Sequence, residues 1–209
     1  MKQVIDIDTW DRGSVFRHFI RYSNPYFGVC TDVDCTTAYR YAKTNGISFF
    51  LYYFYLSLQT ANAIPAFRTR LEKAQPVIYD RVHGSPTIRR NDGGMGFAML
   101  PYADHFEDFM QTAEPEIARV KASADLDASQ DRPDTLYYSI LPWIRFTSVS
   151  HPFDLPNTEG VPILTFGQVH DEGQRCKMPL AIHAHHALMD GQHMADFIRI
   201  FQKSLDRVY

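Results

Sequence analysis

Apolar residues recur along the chain with two different spacings, and the changes from one spacing to the other predict the order of its elements. Residues 49–63 are apolar almost all round a helix, which predicts a buried central helix that begins after Ser48. Further helices are predicted where apolar residues return at intervals of three and four. They lie at residues 9–19, 35–43, 106–120 and 191–205.

Runs of β-type residues fill much of the remaining chain, and turn signals such as Asn91-Asp92-Gly93-Gly94 separate several of them. These runs lie at residues 4–8, 26–31, 76–82, 85–89, 96–100, 135–149, 161–169 and 177–186. Strands and helices do not alternate regularly. The pattern therefore favours an α+β fold with a mixed or antiparallel sheet over a doubly wound fold.

Composition narrows the class of protein. The chain has 209 residues, of which 45% are hydrophobic and 22% charged, and no linker divides it, so we expect one globular domain over residues 1–209. A net charge of −3 gives no broad attraction for nucleic acid. The most apolar run, residues 47–58, is shorter than the ~20 residues that cross a membrane. We expect neither a nucleic-acid nor a membrane partner.

The amino terminus and the cysteines indicate the compartment. The first residues contain no continuous apolar run of the kind that a signal peptide needs. Cys30, Cys35 and Cys176 are odd in number and form no C-x-x-C motif. Neither a disulfide framework nor a zinc site is indicated, and a reducing cytoplasm is the expected location.

Candidate chemistry concentrates in residues 181–193, which contain His183, His185, His186 and His193. Strand alternation puts His186 on one face and both His183 and His185 on the other. The helical spacing that follows predicts a helix from about Asp190. His186 is therefore expected where a strand gives way to a helix.

Three interpretations of this stretch compete. A metal site needs several histidines on one side, whereas His185 and His186 are neighbours that point to opposite faces. A structural interpretation makes His186 a buried histidine and Asp190 the N-cap of the last helix. A catalytic interpretation uses the ordinary histidine pKa of ~6.5, which suits a general base. We expect no metal, and the residues alone leave the other two interpretations open.

A known motif favours the catalytic interpretation. Residues 185–191 have the form HHxxxDG, and the chain resembles the chloramphenicol acetyltransferase family of coenzyme A-dependent acyltransferases along almost its whole length. Further similar stretches, in the same order, are Trp10-Asp-Arg12, residues 27–37, Ser139-Ile-Leu-Pro-Trp143, Phe146-Thr-Ser148 and Ile163-Leu-Thr165. The resemblance implies a two-layer sandwich of a mixed β-sheet with helices. It also implies a homotrimer with active sites at subunit interfaces, acetyl-CoA as co-substrate and a small-molecule acceptor such as chloramphenicol.

The resemblance also assigns roles to residues of the reaction centre. It makes His186 the general base, with its imidazole held by a hydrogen bond to its own backbone carbonyl. Asp190 becomes a structural residue that pairs with Arg12. The alternative for Arg12 is a solvated cation on the surface. Ser139 becomes the donor to the tetrahedral oxyanion and Thr165 the holder of a water beside it, although either residue suits an ordinary strand equally well.

Binding residues follow from the same alignment, and some of them depart from the family. Trp143 would line the pantetheine channel, or else be a buried core tryptophan. The acceptor pocket would contain Phe19, where the family usually has a tyrosine, together with Ser23 and Pro25. On the coenzyme side two lysines and two tyrosines of the family are replaced, at Ser48, Phe50, Gln168 and Val169.

These departures keep several functions open. The main expectation is acetyl transfer to a hydroxyl of chloramphenicol or a similar acceptor. A different small alcohol or acyl-CoA is the second. The acyltransferase core of 2-oxo acid dehydrogenase complexes shares the motif, and a non-catalytic binding protein on the same scaffold is the alternative from another class.

Overall fold

The computed structural model describes residues 1–126, 132–153 and 159–207. The helices of this part of the chain are α1 (Gly13–Phe19), α2 (Thr36–Thr44), α3 (Phe49–Ala63), α4 (Phe106–Ala122) and α5 (Gly191–Leu205), with a short 3-10 helix at Pro65–Arg68. The strands are β1 (Lys2–Val4), β2 (Tyr26–Asp34), β3 (Thr69–Glu72), β4 (Gln75–Tyr79), β5 (His83–Arg89), β6 (Met95–Phe97), β7 (Thr135–Ile140), β8 (Ile163–Phe166), β9 (His170–Glu172) and β10 (Arg175–His185).

The main sheet is mixed, which confirms the predicted α+β class. Its strand order is β2-β10-β8-β7-β5-β6, and β9 pairs with one end of β10. The β5–β7 and β7–β8 pairs are parallel, whereas β10 is antiparallel to both of its long neighbours. Because β5, β7 and β8 run the same way, their carboxyl ends lie along one edge of the sheet.

One face of this sheet packs on the helices. Phe166 of β8 contacts Tyr53 of α3 and Phe201 of α5, with ring centroids 4.8 and 5.8 Å apart. The ring of Tyr138 of β7 packs at a tilt against that of Phe54 of α3, with centroids 4.3 Å apart. Alternation then directs the next residues of each strand, among them Ser139 and Thr165, to the opposite face. The core thus fixes which side chains are available away from the helices.

Two helices were predicted with accurate limits. Helix α3 covers the predicted residues 49–63, and Ser48 caps it by accepting a hydrogen bond from the Leu51 amide at 3.4 Å. Helix α5 begins after Asp190, as the apolar spacing predicted. The distribution of apolar residues was sufficient in both cases, because α3 is buried almost all round and α5 buries one apolar face.

Several other limits were wrong, for local reasons. Helix α1 begins at Gly13 rather than at residue 9, because a turn in which Asp6 accepts from the Asp8 amide precedes it. Strand β7 ends at Ile140 instead of residue 149, just before Pro142, which lacks the amide hydrogen that a strand needs. The expected break at His83-Gly84 is instead the start of β5. Residues 127–131 and 154–158, which fall in the predicted loops, lie outside the described residues.

A second sheet, which the sequence did not predict, has the order β1-β4-β3. A buried arginine joins it to the main sheet, since Arg70 of β3 donates to the carbonyls of Phe67 and Thr69 and, across to β7, of Thr135. Burial is the main influence on Arg70 and lowers its pKa to about 10, so the side chain remains a cation. No helix in the described ranges is long and apolar enough to cross a bilayer.

Arg70→Met should lower the free energy of unfolding by about 2–3 kcal/mol, because it leaves buried carbonyls without a donor. Urea denaturation at one fixed protein concentration measures the loss. The matched control is Arg81→Met, since Arg81 is about half exposed and pairs with Asp104 at the surface; its effect should stay within about 0.5 kcal/mol. Equal effects of the two substitutions would contradict the linking role of Arg70.

Candidate active site

The motif lies at the junction between β10 and α5. Strand β10 ends at His185, and the His186 amide donates to the Pro25 carbonyl at 2.8 Å. Asp190 is the N-cap of α5 and accepts from the Gln192 amide at 3.1 Å. His193 completes a capping box with Asp190. The structural interpretation of Asp190 as an N-cap is therefore correct, and it is compatible with a further role at the site.

Arg12 ties the amino-terminal segment to this junction. Its guanidinium forms an ion pair with Asp190 through Nη1 and donates to the His186 carbonyl through Nη2 at 3.1 Å. The Arg12 side chain is only 14% exposed, so it is not a solvated surface cation. Burial alone would raise the pKa of Asp190, but Arg12 and His193 outweigh this and hold that pKa below its ordinary value.

The His186 imidazole lies between two aromatic rings. Phe19 stacks on it with centroids 3.9 Å apart and planes 4° apart, and Phe27 packs on it at 4.4 Å. Its Nδ1 is buried without a hydrogen-bond partner in the described chain. The expected bond to its own carbonyl is therefore absent, and that carbonyl accepts from Arg12. His186 as a whole is partly exposed, so Nε2 is the nitrogen left to meet a substrate.

The predicted acceptor-pocket residues lie close to this ring. Phe19 forms one of its walls, and Pro25 is buried and accepts from the His186 amide. Ser23 is exposed in the segment between α1 and β2. The structure thus brings two of the three residues into direct contact with His186.

Ser139 and Thr165 lie elsewhere on the same chain. They are directly paired across β7 and β8, and Thr165 is paired with Ala181 of β10. His186 follows Ala181 by five residues, which corresponds to about 16 Å along a strand, and β7 lies about 10 Å across from β10. Within one chain, therefore, Ser139 and His186 are too far apart to contact the same acyl group.

His151 is a site residue that sequence reasoning missed. Its Nε2 shares a hydrogen bond with Thr165 Oγ1 at 2.7 Å, and its ring meets His183 edge-on at 5.2 Å. Burial is the main influence on His151 and lowers its pKa. Nothing in the sequence signals this contact, because His151 lies in an irregular segment and its partner is on β8.

The remaining histidines of the motif have other surroundings. His183 covers Gly28, where an added Cβ would lie 2.6 Å from the imidazole Cδ2. His185 is 3% exposed, and burial lowers its pKa to about 4, so it is neutral at neutral pH. His193 bonds Asp190 at 2.8 Å. Among the residues that the structure describes, no three metal-binding side chains come together.

Trp143 is 57% exposed, which excludes the core tryptophan that was the alternative. It lines a cavity of about 590 Å³ together with Ser139 and with residues of the β5–β6 hairpin. The guanidinium of Arg89 lies over its ring, 5.5 Å from the centroid. Ser139 and Trp143 thus line one cavity, at a distance from His186.

The coenzyme-side positions lie in two parts of the fold. The amide of Gln168, just past the end of β8, donates to the Ile144 carbonyl at 2.9 Å, which places Gln168 beside the Trp143 segment. Phe50 packs on Tyr53 and Phe54 within α3, Ser48 caps that helix, and Val169 packs against the core. Neither Ser48 nor Gln168 carries the cation that the family resemblance implies there.

A mixed sheet covered by helices on one face, with the second histidine of HHxxxDG at a strand end and its aspartate capping the next helix, defines a coenzyme A-dependent acyltransferase. The family model for chloramphenicol acetyltransferase matches residues 2–202. The chain belongs to the chloramphenicol acetyltransferase family.

Individual relatives agree with this assignment. A Staphylococcus aureus chloramphenicol acetyltransferase is 27% identical over 208 residues, covering 97% of this chain and 95% of the relative. Chloramphenicol acetyltransferase 3 of Escherichia coli is 27% identical, covering 95% and 94%. A solved chloramphenicol acetyltransferase structure superposes with a TM-score of 0.92 and 30% identity, covering 98% of this chain and 100% of that one.

A dihydrolipoamide acetyltransferase of Azotobacter vinelandii is more distant, with a TM-score of 0.67 and 17% identity over 98% of this chain and 91% of that one. At this identity the likeness shows the fold alone.

Asp190→Asn should keep a cap on α5 but lose the ion pair with Arg12, which lowers the free energy of unfolding by about 1–2 kcal/mol at neutral pH. Because the folded pKa of Asp190 is depressed, the wild-type advantage is fully present above the ordinary value of 3.8 and is lost as the pH falls through the folded pKa. Urea denaturation at a series of pH values measures both the loss of stability and its dependence on pH.

An Arg12→Gln variant and the double variant complete a cycle that isolates the pair. The losses of unfolding free energy in the two single variants, added together, should exceed the loss in the double variant. Additive losses, or an advantage of wild type that persists unchanged in acid, would show that the pair contributes nothing.

Proposed function

We propose that this protein transfers the acetyl group of acetyl-CoA to a hydroxyl of chloramphenicol or of a similar small acceptor, with His186 as general base. The observation that carries the proposal is the environment of the His186 ring. Phe19 and Phe27 hold its plane, its Nδ1 is buried, and the residue is nevertheless partly exposed, which leaves Nε2 to meet the acceptor. A fixed imidazole with one accessible nitrogen is what proton abstraction from a bound hydroxyl requires.

The reaction needs no acyl-enzyme. The neutral Nε2 takes the proton of the acceptor hydroxyl while that oxygen attacks the thioester carbonyl, and the Ser139 hydroxyl donates to the oxyanion. When the tetrahedral intermediate collapses, the carbon–sulfur bond breaks and the imidazolium returns its proton to the sulfur. The products are the acetyl ester and free CoA, and His186 is neutral again. Thr165 would hold a water beside the intermediate.

Two copies of the chain are needed for this geometry. General base and oxyanion donor must both lie within about 3 Å of atoms of one tetrahedral centre. The strand spacing separates Ser139 and His186 of one chain by far more than this. A site that combines His186 of one copy with Ser139, Thr165 and Trp143 of a neighbour removes the conflict, in agreement with the trimer that the family resemblance implies.

The edge of the main sheet supports such an assembly. Strand β2 is nine residues long, and on the side away from β10 it has no strand partner in the described part of the chain. Gly28, Cys30 and Asp32 on this strand are exposed. A long unpaired edge is a ready surface for a second chain, and it lies beside Phe27 and hence beside His186.

The three cysteines are free thiols, in keeping with a reducing cytoplasm.

A different small alcohol is the second candidate acceptor. Two side chains of the proposed site support it. Phe19 lacks the hydroxyl of the tyrosine that the family usually has, and His151 forms a polar contact at Thr165. Differences of this kind change which acceptor is bound without changing the chemical step. Thiol release from acetyl-CoA, measured with chloramphenicol and with a panel of small alcohols, separates the candidates.

His186→Ala should lower kcat for the best acceptor by about 10²- to 10⁴-fold because the general base is lost. The assay is thiol release, with oligomeric state and CoA binding measured on the same samples. The control is His105→Ala, since His105 is exposed at the start of α4 and should leave the rate unchanged. An undiminished rate in His186→Ala would refute the base. A wild type that binds no CoA at millimolar concentration would favour a non-catalytic binding protein.

Mixed oligomers of His186→Ala and Ser139→Ala chains test the two-copy site. If each site draws its base from one copy and its oxyanion donor from the next, random mixing restores both residues in about one site in four. Co-expressed chains should then recover roughly a quarter of the wild-type rate. A rate equal to the mean of the two single variants would instead locate both residues in one chain.

A further inference from the structure

Arg89 is the last residue of β5 and Arg90 follows it, and only the side chain of Arg90 takes part in the hairpin turn. Arg90 forms an ion pair with Asp92 at 2.8 Å, and Asp92 also accepts from the Gly94 amide at 2.9 Å. Gly93, with a φ of +85°, completes the turn between β5 and β6. Arg89 takes no part in these contacts.

Arg89 is exposed and has no carboxylate within ion-pair distance in the described ranges of the chain. Its guanidinium lies 5.5 Å from the ring centroid of Trp143, in a cation–π contact. The ring holds the group in position while leaving its hydrogen-bond donors unused. A fixed guanidinium with free donors is suited to binding a phosphate through two parallel hydrogen bonds.

The cavity beneath Arg89 connects it to the proposed reaction centre. Its lining includes Ser139, Trp143 and Met95. The Thr87 hydroxyl of β5 accepts from the Ile140 amide at 3.3 Å, which places Thr87 beside Ser139 on the neighbouring strand. Arg89 lies two residues further along β5. The corresponding Cα separation is about 8 Å. A donor whose thioester lies at Ser139 would therefore extend past Trp143 towards Arg89.

The same edge of the sheet carries one of the two positions where the family's cations are missing. Arg89 ends β5, Trp143 follows β7 and Gln168 follows β8, and these three strands are parallel neighbours. Gln168 is uncharged, and the other position, Ser48, is a helix cap. The edge has lost the charge expected at Gln168, and Arg89 gives it a cation without a carboxylate partner in the described ranges.

From this juxtaposition we propose that Arg89 binds a phosphate group of the CoA donor, in place of the lysines that the family resemblance implies at Ser48 and Gln168. The proposal rests on the proposed function, since it takes the cavity at Ser139 and Trp143 as the donor channel. It concerns binding of the donor and assigns Arg89 no part in the chemical step.

Calorimetric titration with CoA, dephospho-CoA, 4′-phosphopantetheine and pantetheine tests the proposal without any acceptor. Arg89→Gln should weaken CoA binding about tenfold or more and leave pantetheine, which has no phosphate, unaffected. The first ligand in this series that Arg89→Gln binds as tightly as wild type does identifies the phosphate, because that ligand lacks the group that Arg89 contacts. Arg89→Lys should recover part of the affinity, because it keeps the charge without the planar fork.

The matched control is Arg199→Gln, which makes the same change of charge at an exposed residue of α5 and should not alter CoA binding. Equal losses for CoA and pantetheine in Arg89→Gln would overturn the proposal, since they would mean that Arg89 only shapes the cavity around Trp143. Unchanged affinity for every ligand would also overturn it.

Thiol release by wild type separates this proposal from the proposed function. If wild type acetylates an alcohol but Arg89→Gln binds CoA normally, the phosphate contact is wrong and the function stands. If CoA binding depends on Arg89 and no alcohol is acetylated, the function is wrong and the phosphate contact stands. A wild type that does not bind CoA overturns both.

Discussion

The contact of Arg12 with Asp190 and the His186 carbonyl is the interaction on which the site depends. It joins residues far apart in sequence, and it acts on two elements at once. On one side it fixes the turn that carries His186, and on the other it holds the start of α1, whose last residue, Phe19, stacks on the same imidazole. Because Arg12 is largely buried, this pair is less screened by solvent than a surface ion pair.

Three histidines on the face of the sheet away from the helices have lowered pKa values. Burial is the main influence that lowers the pKa of His151, His183 and His185. His185, whose pKa falls to about 4, adds no positive charge next to His186 at neutral pH. An uncharged neighbour suits a general base that must itself be neutral to accept a proton, and it relates the packing of the sheet to the proposed chemistry.

Local patterns predicted the parts of the fold that local forces determine. Residues 49–63 and the helix after Asp190 bury wide apolar faces, so their periodicity was sufficient. The sheet of β1, β4 and β3 and the parallel pairing of β5 with β7 arise from contacts between distant segments, which no window of sequence contains. The motif led to His186 and Asp190, whereas the contact of His151 with Thr165 exists only after folding has brought them together.

Among the site residues that the family resemblance assigns, the departures fall in two places. Arg12, Asp190 and His186 are the residue types that the resemblance calls for, and Arg12 is in contact with the other two. The departures are at Phe19, in the proposed acceptor pocket, and at coenzyme-side positions such as Gln168.

Residues that act only in the transition state set kcat, whereas residues that bind both states equally set KM. Under the proposed function, these departures therefore bear on substrate binding, whereas the residues of the chemical step are kept. Arg89 fits this division, because it adds a charge at the coenzyme edge and lies outside the proposed reaction centre.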